Sequence, residues 1–226
     1  MLFALICFSE SPCTGIGAMK VYPLKINHKF VATPIVNPDE QEAPVATRED
    51  VERALAVSEI AGIVAIAAGA GLRISEILAL RIGDDGISDA WDADAAVIHI
   101  RQTLKTPSAA RTVHICDELN TWLRQFTKDS THCSPMFTTA RAELYRILDR
   151  GNLLPWHSYR RFYVSHRDEL MMNEQVLKML VGHSRGAQKN VTNRYKKARV
   201  EFIRSEVERV GLGFALPVGV QEMVTA

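Results

Sequence analysis

Between Ile60 and Ala70 the chain holds only isoleucine, valine, alanine and two glycines, and no charged or hydrogen-bonding side chain. Ile60, Ile63, Val64, Ala67 and Ala68 recur at helical spacing, and the remaining positions add no polar stripe. A helix without a polar face has nothing to offer water and must be covered on every side. Gly69 and Gly71 mark its end. The helix before it is announced by Thr47-Arg48-Glu49-Asp50, a hydroxyl cap candidate with an acidic first turn, followed by Val51, Ala54 and Leu55. After it, Gly71-Leu72-Arg73-Ile74-Ser75-Glu76-Ile77-Leu78-Ala79-Leu80 restarts a helix with Arg73 in its first turn, where backbone N–H groups and a guanidinium together make a natural anion site.

From Ala95 the period falls to two. Val97, Ile98 and Ile100 alternate around His99, and Val113 and Ile115 around His114, with Lys105-Thr106-Pro107-Ser108-Ala109-Ala110 between them. This predicts a β-hairpin with Lys105 on its tip, preceded by an acidic, glycine-containing loop over Asp84 to Asp94. Further helices are predicted over Asp117 to Phe126, Thr139 to Asp149, Pro155 to Met171, Glu174 to Val181 and about Gln188 to Val207. The fold class is mixed, mainly α with a small antiparallel β-sheet or hairpin. Residues 1–46, with five prolines and no sustained period, form an irregular arm. Residues 47–209 form one domain, and 210–226 an apolar tail.

Four cysteines (Cys7, Cys13, Cys116, Cys133) show no CxxC pair and no metal-ligand spacing with the histidines, which reads as reduced thiols in a cytoplasmic chain. No apolar run reaches the ~18 residues of a membrane helix. The net charge of +1 hides a division along the chain. Residues 1–100 carry 7 basic against 14 acidic side chains, and residues 101–209 carry 20 against 11. A basic half of this kind suits a phosphate backbone, although a merely solvated surface would give the same count.

The chemistry-bearing residues cluster between Trp156 and Lys197. His157-Ser158-Tyr159-Arg160 offers an acid/base group and, three residues on, a guanidinium on the same side of a helix. Gly182-His183 adds a second imidazole, and Asn193-Arg194-Tyr195-Lys196-Lys197 sets a phenol among cations. A phenol is a poor nucleophile near neutral pH, with a free pKa of about 10. Cations around it and around its target would activate it, and an arginine fork matches two phosphate oxygens at once. Chemistry on a phosphodiester is the function this order suggests.

These residues resemble the catalytic domain of the tyrosine recombinases, or phage-type integrases, over about Thr47 to Arg209. The segment around Arg73 resembles the family's first arginine box, Lys105 its β-hairpin lysine, His157 to Arg160 its HxxR box, Val181-Gly182-His183-Ser184 its later Gly-His box, and Tyr195 its nucleophile. The resemblance implies a mechanism with no metal and no nucleotide cofactor, in which Tyr195 forms a 3'-phosphotyrosyl link, Arg73 and Arg160 clamp the phosphate, Lys105 protonates the leaving oxygen, His157 works as an acid/base partner and His183 donates to phosphate. It implies double-stranded DNA as partner and a tetramer on it, with no small-molecule substrate and no membrane. It also implies a helical core-binding domain, for which residues 1–46 are too short and too proline-rich. Tyr195 lies twelve positions after His183, a little more than is usual in the family, and Arg161 stands where many members have a second histidine.

Other readings of the same residues stand beside these. Tyr159 and Tyr163 are competing phenols, Arg101, Arg111 and Lys128 competing cations for Lys105, and His157 with Arg160 makes an ordinary structural pair. Glu76, one turn after Arg73, either orients that arginine or is a surface carboxylate. A type IB topoisomerase-like nicking and resealing enzyme shares the arginine, lysine and tyrosine logic. A DNA-binding or regulatory relic that no longer cuts shares the fold.

Overall fold

The computed structural model describes residues 44–102, 110–182 and 196–218, with side chains in the last segment from 200 onward. The all-apolar segment is helix α2 (Ser58–Ala70), and every residue from Ile60 to Ala70 is buried. Helix α1 (Arg48–Leu55) precedes it, and α3 (Ile74–Leu78) follows. The other helices are α4 (Asp117–Phe126), α5 (Arg141–Arg150), α6 (Trp156–Glu169), α7 (Glu174–Val181) and α8 (Lys196–Val210). Helices α1, α3, α4 and α6 pack against α2, which supplies the cover its composition demands. Gly69 does not end α2. It lies inside the helix, where its missing Cβ leaves room for Leu119, to which an added carbon would come within 2.8 Å, and Gly71 takes the left-handed cap.

Thr47 caps α1 as its sequence predicts. Its hydroxyl accepts from the Asp50 backbone N–H and the Asp50 carboxylate accepts from the Thr47 N–H, a reciprocal capping box. Thr47→Ala should therefore lower stability by about 1 kcal/mol, read as a shift in urea midpoint at unchanged slope.

The sheet is larger than a hairpin and is mixed. Four strands, β1 (Arg81–Ile82), β2 (Ala90–Asp92), β3 (Val97–Ile100) and β4 (Arg111–His114), lie in sequence order, with β1 and β2 parallel and the other pairs antiparallel. Strand β2 falls inside the stretch expected to be an acidic loop, and the alternation there is too short to be seen. The acidic residues around it hold the base of the hairpin. The buried Asp89 carboxylate accepts from the backbone N–H groups of Arg101 and Gln102, and Asp84 takes the Arg101 guanidinium through both oxygens.

The first part of the apolar tail packs on its own chain. Leu212 and Phe214 are buried, Phe214 meets the Phe162 ring edge-on at 5.9 Å, and the Trp122 indole N–H donates to the Pro217 carbonyl at 3.1 Å. His166 stacks on Phe162 within α6. Among the described residues no helix is long and apolar enough to cross a membrane.

Candidate active site

Three of the six residues singled out in the sequence are described, and they come together where α3, β4, α6 and the end of α7 meet. Lys105, His183 and Tyr195 lie outside the described residues. Arg73 is the N-cap residue of α3, placed there by the left-handed turn at Gly71. Its side chain is 30% exposed, so its guanidinium reaches solvent. The Arg73 backbone N–H donates to Glu76 at 2.8 Å, so this N–H is taken and the capacity for an anion resides in the guanidinium.

Arg160 is buried at 3% exposure in α6. One terminal nitrogen donates to the Gly71 carbonyl, two residues before Arg73, and the other to the Val181 carbonyl at 2.8 Å, at the end of α7. Two of the five N–H groups of its fork are thus used to fix its plane. Burial, then the charges of Arg73 and Arg111, pull its pKa down to about 10, which leaves it protonated at neutral pH. His157, on the exposed side of the same helix, is pushed below the usual histidine range by partial desolvation, then by Arg160, Arg161 and Arg73. Desolvation and the three guanidinium groups thus favour the neutral imidazole, the form that can accept a proton.

Glu76 is not a surface carboxylate. It is 1% exposed and takes Arg73 Nη1 on Oε1 at 3.0 Å, with Arg111 Nη1 on the same oxygen at 3.0 Å and Arg111 Nη2 on Oε2 at 2.8 Å. Burial alone pushes this carboxyl up and is the largest single influence. The bonds and charges of Arg111, then of Arg73, outweigh it, so Glu76 sits below the usual carboxylate range and stays ionised. Two guanidinium groups therefore share one carboxylate, and Arg160, which feels the charges of Glu76, Arg73 and Arg111 without bonding the carboxylate, brings the local surplus to two positive charges, which a doubly ionised oxyanion would balance.

The competing readings separate on the same geometry. Tyr159 and Tyr163 are fully buried, and desolvation raises both phenols, Tyr159 to about 12, which removes them as nucleophiles at neutral pH. Arg101 is held by Asp84 and Arg111 by Glu76, so neither is a spare cation for the hairpin tip. Arg111 is the residue whose role the sequence reading missed. It pairs with Ile100 at the start of β4 and shares a face of the strand with buried Val113, so an arginine on the core-facing side of an alternating strand was the available signal.

This arrangement sits in the fold of tyrosine recombinase catalytic domains. The solved structures similar to the chain include the integrase of mycobacterium phage Brujita, at TM-score 0.52 and 16% identity over 81% of this chain and 63% of that one. They also include the Tn1549 transposon integrase in complex with a circular intermediate DNA, at TM-score 0.51 and 17% identity over 77% of this chain and 70% of that one. XerA recombinase is similar at TM-score 0.48 and 14% identity over 71% and 65% of the two chains. The chain spans about two-thirds of the length of the chains in these solved structures. No protein-family model and no curated protein matches it.

Proposed function

We propose that the chain cuts and rejoins double-stranded DNA through a tyrosine–phosphate intermediate, as a recombinase or integrase. The observation that carries this reading is the surplus positive charge formed by Arg73, Arg111 and Arg160 around the single carboxylate of Glu76, open to solvent at Arg73. Arg73 and Arg160 would hold the non-bridging oxygens as charge builds on phosphorus. The Tyr195 oxygen would bond to phosphorus as the bond from phosphorus to the 5'-oxygen breaks. The phenol proton would pass to His157, and Lys105 would protonate the leaving 5'-oxygen. His183 would donate a hydrogen bond to the phosphate. The bond energy stays in the phosphotyrosyl link, and a second 5'-hydroxyl reverses the step, within a tetramer on DNA. The DNA-bound Tn1549 integrase supports duplex DNA as the partner.

The test is a randomised library of duplexes nicked near the cleaved position, which traps the covalent product because the short fragment bearing the freed 5'-hydroxyl diffuses away. The full chain should give an adduct that migrates slowly on a denaturing gel, and Tyr195→Phe should abolish it. No adduct from any member, together with salt-dependent binding of the same duplexes, would refute cleavage and leave a DNA-binding protein.

A further inference from the structure

Arg111 has no part in the reaction just outlined, yet it is among the most fully engaged side chains of the site. Its side chain is 7% exposed. Both terminal nitrogens bind Glu76, and Nε donates to the Leu180 carbonyl at 2.9 Å. It also lies against Gly182, where a Cβ would come within 3.1 Å of Nη1. Gly182 has φ +78°, so this close approach falls at a position that already favours glycine. Arg111 and Arg160 thus grip adjacent carbonyls, Leu180 and Val181, at the negative end of the α7 dipole.

The decisive detail is a shared atom. Glu76 Oε1 accepts from Arg73 and from Arg111 at the same distance, 3.0 Å. If Glu76 had Arg73 alone as counterion, the pair would be neutral and Arg73 would have little net charge left for a ligand. We propose that Arg111 is a positioning residue that acts as the counterion of Glu76, so that Arg73 keeps its charge for an incoming phosphate. Arg111 acts through Glu76 and Arg73 and touches no substrate. The inference rests on Arg73 being a phosphate ligand, as in the function proposed above.

Inorganic sulfate, which stays doubly charged across neutral pH, is the probe, with binding to the full chain followed by calorimetry at low ionic strength. Arg111→Met should weaken sulfate binding by about tenfold, the scale on which loss of an orienting partner acts. Arg111→Met combined with Glu76→Gln should restore it to within about threefold, because the stranded carboxylate is gone. Arg111→Lys, which keeps the charge and loses the fork, should fall between. A purely structural role predicts no rescue by the second substitution. Glu76→Gln alone should bind sulfate more tightly than the parent chain, and it carries the same test if Arg111→Met does not fold. Equal sulfate affinity in a folded Arg111→Met, or no rescue in the double variant, overturns the assignment. Adduct formation on nicked duplexes separates the two ideas. An adduct with unchanged sulfate affinity in Arg111→Met removes this inference and leaves strand cutting. Tenfold loss and rescue without any adduct removes strand cutting and leaves this inference.

Discussion

Glu76→Ala should destabilise the protein by about 3–5 kcal/mol, the range found when one member of a buried ion pair is removed and the other charge stays behind. Arg111 would lose both carboxylate bonds while remaining 7% exposed, and Arg73 would lose the oxygen that orients it. For a chain of this size the loss corresponds to a fall in melting temperature on the order of 10 °C by calorimetry. Glu76→Gln keeps the shape and one acceptor, so its loss should be smaller. The pH dependence has a definite sign. Glu76 is held below the usual carboxylate range, so its contribution is fully present above the unfolded value of about 4.3 and is lost as pH falls through the folded value. The stability difference between the parent chain and Glu76→Gln should shrink through that acid window. A Glu76→Ala protein that melts within a degree of the parent would show that the carboxylate does not hold the arginines.

Gly71→Ala comes next in size, at about 2–5 kcal/mol. The residue has φ +68°, where an L side chain costs about 1–2 kcal/mol, and its Cβ would sit 2.4 Å from the Tyr163 ring, an overlap worth about 1–3 kcal/mol more. Tyr163 is fully buried and has nowhere to retreat. Gly86→Ala is the matched control, since Gly86 has φ +78° but nothing within 4 Å of the added carbon, so it carries the backbone cost alone. Urea unfolding of the two variants should differ by the ring contact. Equal losses would mean that Tyr163 gives way. Gly71→Ala should also weaken sulfate binding where Gly86→Ala does not, because the displaced carbonyl is the one that receives Arg160.

Much of this was legible before any coordinates. An apolar helix at Ile60 to Ala70, a capped helix before it and a left-handed break at Gly71 follow from residue types whose conformational preferences are strong and local. The β3–β4 hairpin was visible because its alternation lasts several residues, whereas β1 and β2, two and three residues long, fall below the length at which a period exists. At the site, Arg73, His157 and Arg160 stood out through their spacing. The placement of Arg111 did not, because its partners Glu76 and Leu180 lie 35 and 69 positions away in sequence, and no local pattern encodes a contact at that range. The burial of Glu76 escaped for the same reason: a carboxylate three residues from an arginine looks alike on a surface and in a core until the third charge is known.

Helix α6 carries a second interior arginine two turns after Arg160. Arg167 is fully buried, lies 3.6 Å from the centre of the Tyr163 ring, and donates to the Gly69 carbonyl at 3.2 Å and the Gly211 carbonyl at 3.3 Å. Gly69 and Gly71 flank the last residue of α2, so one helix is bolted twice to the terminus that aims Arg73. Neither arginine can swing away from the other without tearing out a bolt. A shift of α6 along its axis would therefore carry the end of α2 with it, as two rivets carry a plate.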